Sequence, residues 1–178
     1  MNSYWQKQSR TETLFPDIEW NKPEQRAKAG KLLVIGGNKL SFVATATAYE
    51  EAVALGAGQV RVLLPNALKS ALPPTIVEAV FTASTPSGGM SKDDLGTVNA
   101  SLSWSDHALL IGDAGRNSET AAVYEHILQS DVPLTITRDA VDLLKQTADT
   151  MINRPQTALV VSLAQLQKLF QAVYYPKM

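Results

Sequence analysis

Cysteine is absent from the 178 residues, which excludes disulfides, thiolate nucleophiles and cysteine-ligated zinc or iron–sulfur centres. Histidine is scarce too. His107 and His126 are the only two, too few for a histidine-rich metal site, and no metal is expected. No uninterrupted apolar run approaches the roughly 18 residues that a membrane span needs. A surplus of one charge sign is also missing, since 16 Lys plus Arg oppose 17 Asp plus Glu for a net charge of -1. The total therefore makes no case for nucleic acid or an anionic membrane as partner. Met1 to Trp20 is polar and mixed in charge, unlike a signal peptide, and the expected location is the cytoplasm. What is present is ordinary for a folded domain: 45% apolar and 19% charged residues, in a length that suits one domain.

Residues 1–30 lack clear periodicity and carry Tyr4, Trp5, Phe15 and Trp20 among two prolines, Pro16 and Pro23. They read either as an arm laid over the domain or a neighbouring subunit, or as a partly ordered leader. Residues 31–178 read as a single α/β domain. Leu32-Leu33-Val34-Ile35 is a short apolar run closed by Gly36-Gly37, as expected of a strand buried on both faces. An alanine-rich helix follows over Val43 to Leu55, closed by Gly56 and Gly58.

Further strands are expected at Gln59–Leu64, Ala79–Thr82, Ala108–Ile111, Val132–Thr137 and Thr157–Val161. Helices are expected at Ala67–Leu72, from Ser91 towards Leu102, at Ser118–Gln129, from Asp139 to about Ile152, and from Ser162 to about Tyr174. Ser91 with Asp94 and Ser162 with Gln165 have capping-box spacing. Strands alternating with helices imply parallel pairing through right-handed crossovers. The fold class is therefore a three-layer αβα sandwich on a mainly parallel sheet of about six strands.

In such sheets ligands bind at the carboxyl ends of the strands. Three places qualify. Gly36-Gly37-Asn38 follows the first strand, and glycines there admit a ligand close to the backbone. It does not continue as G-x-G-x-x-G, because the third glycine position is Ser41, and no P-loop occurs anywhere. Gly112-Asp113-Ala114-Gly115-Arg116 follows the fourth strand, and Arg116 could hold a phosphate or carboxylate, or simply pair with Asp113. Arg138-Asp139 follows the fifth strand, where Asp139 could act as a base or, more simply, as an N-cap. Each place also reads as a plain turn. His107 sits at a strand entrance and His126 in mid-helix, both better suited to structural roles. Arg61 inside a strand suggests a position near an edge or a partner.

Gly30-Lys31-Leu32-Leu33-Val34-Ile35-Gly36-Gly37, the alanine-rich helix and Leu55-Gly56-Ala57-Gly58-Gln59-Val60 together resemble the start of the NAD(P)H-hydrate dehydratases, which are ribokinase-like proteins. The order and spacing match from about Gln25 to about Phe170. The resemblance implies a ribokinase-like fold, ADP or ATP as driver of a dehydration, a hydrated nicotinamide dinucleotide, NAD(P)HX, as substrate, and a ligand site at Gly36, Gly37, Asn38, Gly112, Gly115, Arg116 and Asp139. Other positions depart from the family pattern. Gln25-Arg26-Ala27 stands for H-K-G, Thr137 for the first Asp of D-A-D-A, and Val161-Ser162-Leu163-Ala164-Gln165-Leu166 for T-P-H-x-G-E. The G-x-G-D segment, which supplies the family's anion hole and catalytic Asp, has no counterpart in the 178 residues.

The expectation is a diverged family member without the family's catalysis, with no catalytic residue assigned and a binding or assembly role. It would take a nucleotide or dinucleotide ligand and form a homo-oligomer, since a shortened sheet leaves an edge to cover. The alternative is the N-terminal portion of an active ADP- or ATP-dependent dehydratase or small-molecule kinase. An unrelated dinucleotide-binding domain is weakest, because no acidic residue ends the second strand.

Overall fold

The computed structural model describes Ser9, Thr11, residues 14–21 and residues 23–173. The apolar runs become six strands: β1 (Lys31–Gly36), β2 (Gln59–Pro65), β3 (Ala79–Thr82), β4 (His107–Gly112), β5 (Leu134–Thr137) and β6 (Thr157–Val160). Every pairing is parallel, and the order across the sheet is β3-β2-β1-β4-β5-β6. Chain direction across the sheet reverses between β1 and β4, so that a crevice opens above their carboxyl ends. The helices are α1 (Asp17–Trp20), α2 (Val43–Ala54), α3 (Leu95–Trp104), α4 (Ser118–Leu128), α5 (Asp139–Leu143), α6 (Ala148–Asn153) and α7 (Leu163–Val173).

Strand register sorts side chains onto two faces. Leu33, Ala108 and Leu134 lie in one row and Ile35, Leu110 and Ile136 in the next. All six are fully buried and pack with Val98, Val123, Ile127 and Leu144 beneath α3 to α7. The other face carries Val34, Val60, Val62 and Leu64, covered by Tyr49 of α2 together with Leu68 and Ile76. The core is thus split by the sheet into two layers, the three-layer αβα arrangement expected. Over β5 and β6 the α2 side of the sheet carries Thr135, Thr137, Ala158 and Val160, and Val160 is 60% exposed.

Several local expectations need correction. Ala67–Leu72 forms only a 3-10 turn over Asn66–Leu68, with Ser84 Oγ accepting from Ala67 N–H at 2.8 Å, and Pro73-Pro74 closes the segment. The helix expected from Asp139 to Ile152 is broken into α5, a 3-10 stretch at Leu144–Thr147 and α6. Ala140, Val141, Leu144, Ala148 and Met151 keep a helical spacing and are all buried. However, Thr147 Oγ1 donates to the Leu144 carbonyl at 3.2 Å and competes with the regular ladder. Ser91 and Asp94 do not cap each other. Ser91 Oγ accepts from Asp93 N–H and donates to the Glu119 carboxylate, and Asp94 caps α3 by accepting from Thr97 N–H. The Ser162–Gln165 box does form, with both reciprocal bonds present at 3.1 and 3.2 Å. Tyr174 lies outside the described residues.

Arg61 does lie near an edge: β2 sits between β1 and β3, but β3 begins only alongside Val62 and leaves Arg61 without a neighbouring strand on that side. His107 sits at the start of β4 with Nε2 at 2.9 Å from Thr135 Oγ1, and burial holds its imidazole below the ordinary value. His126 Nε2 meets Asn99 Oδ1 at 2.8 Å on an exposed surface. Of the N-terminal aromatics, Phe15 and Trp20 are 64% and 91% exposed. Tyr4 and Trp5 lie outside the described residues.

Gly36 shows how tightly β1 meets β4. A Cβ there would overlap the Gly112 carbonyl oxygen and stand 2.8 Å from Thr45 Oγ1. Gly36→Ala is expected to cost about 1–3 kcal/mol in urea unfolding, because backbone must move to admit the methyl. Gly96→Ala, at an open position of α3, should instead gain about 0.5 kcal/mol.

Candidate functional site at the strand switch

Two glycine turns meet where the sheet order reverses. Gly37 N–H donates to the Gly112 carbonyl at 2.8 Å, and the turns lie side by side. Both residues need glycine: Gly37 has φ +83° and Gly112 φ +93°, in the left-handed region that side chains disfavour. Asn38 ties the two turns together. Its Nδ2 donates to the Asp113 carbonyl, and its Oδ1 accepts from Leu40 N–H at 2.7 Å. Gly115 has φ +71° and faces Asn38 Nδ2. Gly36, Gly37, Asn38, Gly112 and Gly115 are therefore assembled into one structural unit.

Asp139 completes that unit in an unexpected way. It is the first residue of α5 rather than its N-cap; Arg138 holds the cap position. The Asp139 carboxylate turns away from its own helix and accepts from Asp113 N–H at 2.8 Å and from Ala114 N–H at 3.2 Å. Gly112 makes this approach possible, because a Cβ there would overlap Asp139 Oδ1. The amides that could cradle a ligand's anion thus already hold an internal carboxylate.

The start of α2 is treated likewise. Phe42 occupies its cap position and offers no side-chain acceptor. Asp113 supplies one from 69 residues away, with Oδ2 accepting from Ala44 N–H at 2.7 Å and from Ser41 Oγ at 3.2 Å. Its other oxygen, Oδ1, pairs with Arg138 Nη2 at 3.5 Å. Arg138, not Arg116, is therefore the partner of Asp113. Arg116 is exposed on the far part of the loop, where its charge is felt by Asp142.

Arg138 has φ +56°, uncommon for a residue with a Cβ, and such conformations cost on the order of 1–3 kcal/mol. Its surroundings hold it there. Gln165 Nε2 donates to the Arg138 carbonyl at 2.7 Å and to Asp142 Oδ2 at 2.9 Å. The Gln165 amide, with Lys168 behind it, holds the Asp142 carboxyl below the usual carboxylate range. Beneath the loop, Tyr124 is fully buried, and its hydroxyl has no hydrogen-bond partner among the described residues. Burial first, then Asp139 and Asp113, pushes that phenol above its ordinary value, so it stays protonated.

A cleft of about 360 Å³ opens above these groups. Its walls include Ser41, Ala44, Thr47, Ile111, Asp113 and Arg138. The volume falls within the range of small-molecule sites, about 300–1,000 Å³. Hydroxyls, one carboxylate and one guanidinium suit a ligand rich in hydroxyl groups. None of the seven candidate residues lines this cleft; sequence reading offered Asp113 only as a partner for Arg116 and missed Thr47 and the outward turn of Arg138. Only a helix lacking a local cap, after Phe42, signalled the role of Asp113. Among the described residues no group of three or more His, Asp or Glu could hold a metal ion.

Asp139→Ala is expected to leave two backbone N–H groups without an acceptor, at a cost of about 1–3 kcal/mol in urea unfolding. The amides of Asp113 and Ala114 should then exchange faster with solvent. Inorganic phosphate should raise the melting temperature of this variant more than that of the parent.

No family model matches the chain, and no curated protein matches it. Among solved structures, a ribokinase-like superfamily protein from Enterococcus faecalis superposes with a TM-score of 0.68 at 18% identity, over 84% of this chain and 52% of that one. An FMN-dependent cysteine decarboxylase, SpaF, has a TM-score of only 0.45 at 15% identity, over 84% of this chain and 100% of that one. The chain therefore has a ribokinase-like α/β fold and spans about half the length of the ribokinase-like neighbour.

Proposed function

We propose that this chain is a small-molecule-binding relative of the NAD(P)H-hydrate dehydratases that does not carry out nucleotide-driven dehydration. One observation carries the reading: the Asp139 carboxylate fills the two loop amides beside Gly112. A nucleotide phosphate placed there would have to displace Asp139 and then face Asp113. Two like charges 4 Å apart repel by about 4 kcal/mol at an effective dielectric near 20. The described residues therefore do not fit a nucleotide's phosphates at this loop. They fit a riboside without phosphate better, with Ser41 and Thr47 offering hydroxyls and Asp113 an acceptor or a countercharge.

Calorimetric titration tests this directly. Nicotinamide riboside and adenosine are expected to bind the chain at least as tightly as NAD, NADP, ADP or ATP. Turnover of hydrated NADH with ADP or ATP would overturn the proposal and favour the second reading, part of a longer active dehydratase or kinase. That reading draws support from the 52% coverage of the ribokinase-like neighbour.

An assembly role has separate support. The outer side of β6 is a sheet edge, and an apolar groove of about 440 Å³ lies beside it, walled by Ile152, Leu159, Val161, Leu166 and Phe170. Leu163 and Phe170 are 72% and 63% exposed, and Val160, on the other face of the same strand, is 60% exposed. A second copy related by a twofold axis would pair its β6 antiparallel to this one and cover edge and groove together. Light scattering after size exclusion should report a dimer that Val160→Lys or Phe170→Lys dissociates. A monomeric parent would remove the assembly role.

A further inference from the structure

At the opposite end of the sheet, β3 begins only alongside Val62, so Gln59 to Arg61 have no strand beside them there. The gap opens a pocket of about 290 Å³ between the α2 and α3 layers, walled by Arg26, Tyr49, Gln59, Arg61, Glu78 and Trp104. Arg61 lies in the row of Leu33 and Ala108, a core row on its other members. Its guanidinium lies over a ring, with Cζ 3.9 Å from the centroid of Trp104. Lys31 Nζ stands 5.9 Å from the same centroid.

The hydrogen-bond account of Arg61 does not close. Its charged contact is Glu78 at 3.6 Å from Nη2, longer than a good hydrogen bond, and Glu78 is itself largely exposed. Nε is buried without a hydrogen-bond partner among the described residues. Arg154 shows what this chain does with a structural guanidinium. Its Nε and Nη2 donate to the carbonyls of Leu128, Ser130 and Val132, and its Nη1 to Pro155 and Thr157. Among the described residues Arg61 makes no hydrogen bond to a carbonyl. Half-buried donors left unpaired are costly, and a charged acceptor is the partner that returns most. Arg26 adds a second cation, held by one bond from Nε to the Ala57 carbonyl at 3.3 Å.

We propose that this pocket is an oxyanion-binding site for a small carboxylate or phosphate ligand. Arg61 is the fork, Arg26 the second cation, and Trp104 the platform that fixes the fork's plane while leaving its edge free to donate. The site is separate from the switch-point cleft, which lies at the other end of the strands. The two ends also differ in chemistry: amides already holding carboxylates at one, and at the other a guanidinium whose charged contact is a long pair to the exposed Glu78 and whose Nε has no partner among the described residues.

Arginine Nε–H signals, followed by proton–nitrogen NMR in the full chain, test the proposal, with inorganic phosphate in one arm and benzoate in the other. The Arg61 Nε–H signal should shift saturably in at least one arm, with a Kd below about 10 mM. The responding arm identifies the ligand class. Arg61→Lys and the exposed-site variant Arg26→Gln should each weaken binding about tenfold, because a paired donor is lost. Lys69→Gln, which removes an exposed cation elsewhere, should leave the Kd unchanged. Absence of a saturable shift in both arms would overturn the proposal. So would parental affinity in Arg26→Gln, a folded variant even if Arg61→Lys proves unstable, or a loss in Lys69→Gln equal to that in Arg26→Gln.

Discussion

The carboxylate of Asp139 resting on the amides of Asp113 and Ala114 is the contact on which the upper end of this molecule depends. It joins the β4 loop to the start of α5. Asp113, held in that loop at φ +53°, can then reach 69 residues back to close the start of α2. Gly112 permits the approach from one side and Gly36 from the other, since a side chain at either would collide with the loop or its carbonyl. Each bond from a backbone N–H to an ionised carboxylate is stronger than one to a neutral acceptor. Two carboxylates together satisfy three backbone donors and the Ser41 hydroxyl, so the crevice is rigid and internally paired.

This pairing decides what chemistry the crevice can host. Backbone amides at a strand-to-helix loop attract anions by their dipoles, whichever molecule carries the anion. Here the protein supplies it. What remains to face the cleft is Arg138, in a strained conformation and paired with the second oxygen of Asp113, and the Thr47 hydroxyl. The lower end of the sheet has the converse arrangement. There a guanidinium lies over Trp104, and its Nε has no acceptor among the described residues; the nearby Glu78 carbonyl is taken by Val62 N–H. Arg154, sewn to surrounding carbonyls, shows that the difference lies in the local supply of acceptors and not in the residue type.

The sheet's span explains the remaining exposed surface. With β6 as its last described strand and α2 covering only part of one face, apolar side chains collect at a single corner around Val160 and Phe170. The match to the ribokinase-like neighbour covers only 52% of that chain. Unpaired edge groups and an apolar groove are costly in water separately, and they lie close enough to be covered by one partner.

Much of the scaffold was readable from local pattern. The runs Leu32–Ile35, Val60–Leu64 and Ala108–Ile111 are buried strands because continuous apolar residues leave no solvent face, and their alternation with helices requires parallel pairing. The glycines at 36, 37 and 112 marked the carboxyl ends of β1 and β4, and the Ser162–Gln165 box marked the start of α7. Local pattern failed wherever the deciding partner was distant in the chain. Asp139 has the spacing of an N-cap, yet its acceptors serve amides 25 and 26 residues earlier. Arg116, three residues away, is the partner that local spacing offers for Asp113, and loop geometry chose Arg138 instead. Periodicity over residues 140–151 reports which side chains are buried, and is blind to the 3-10 break made by one threonine hydroxyl. Hydrophobic order and turn chemistry are written residue by residue, so the sequence by itself determined the layers and the position of the crevice. Long-range hydrogen bonds between charged side chains and backbone depend on distances set only after folding, so the tertiary structure alone decided which anion fills the loop and which guanidinium keeps a buried N–H without an acceptor among the described residues.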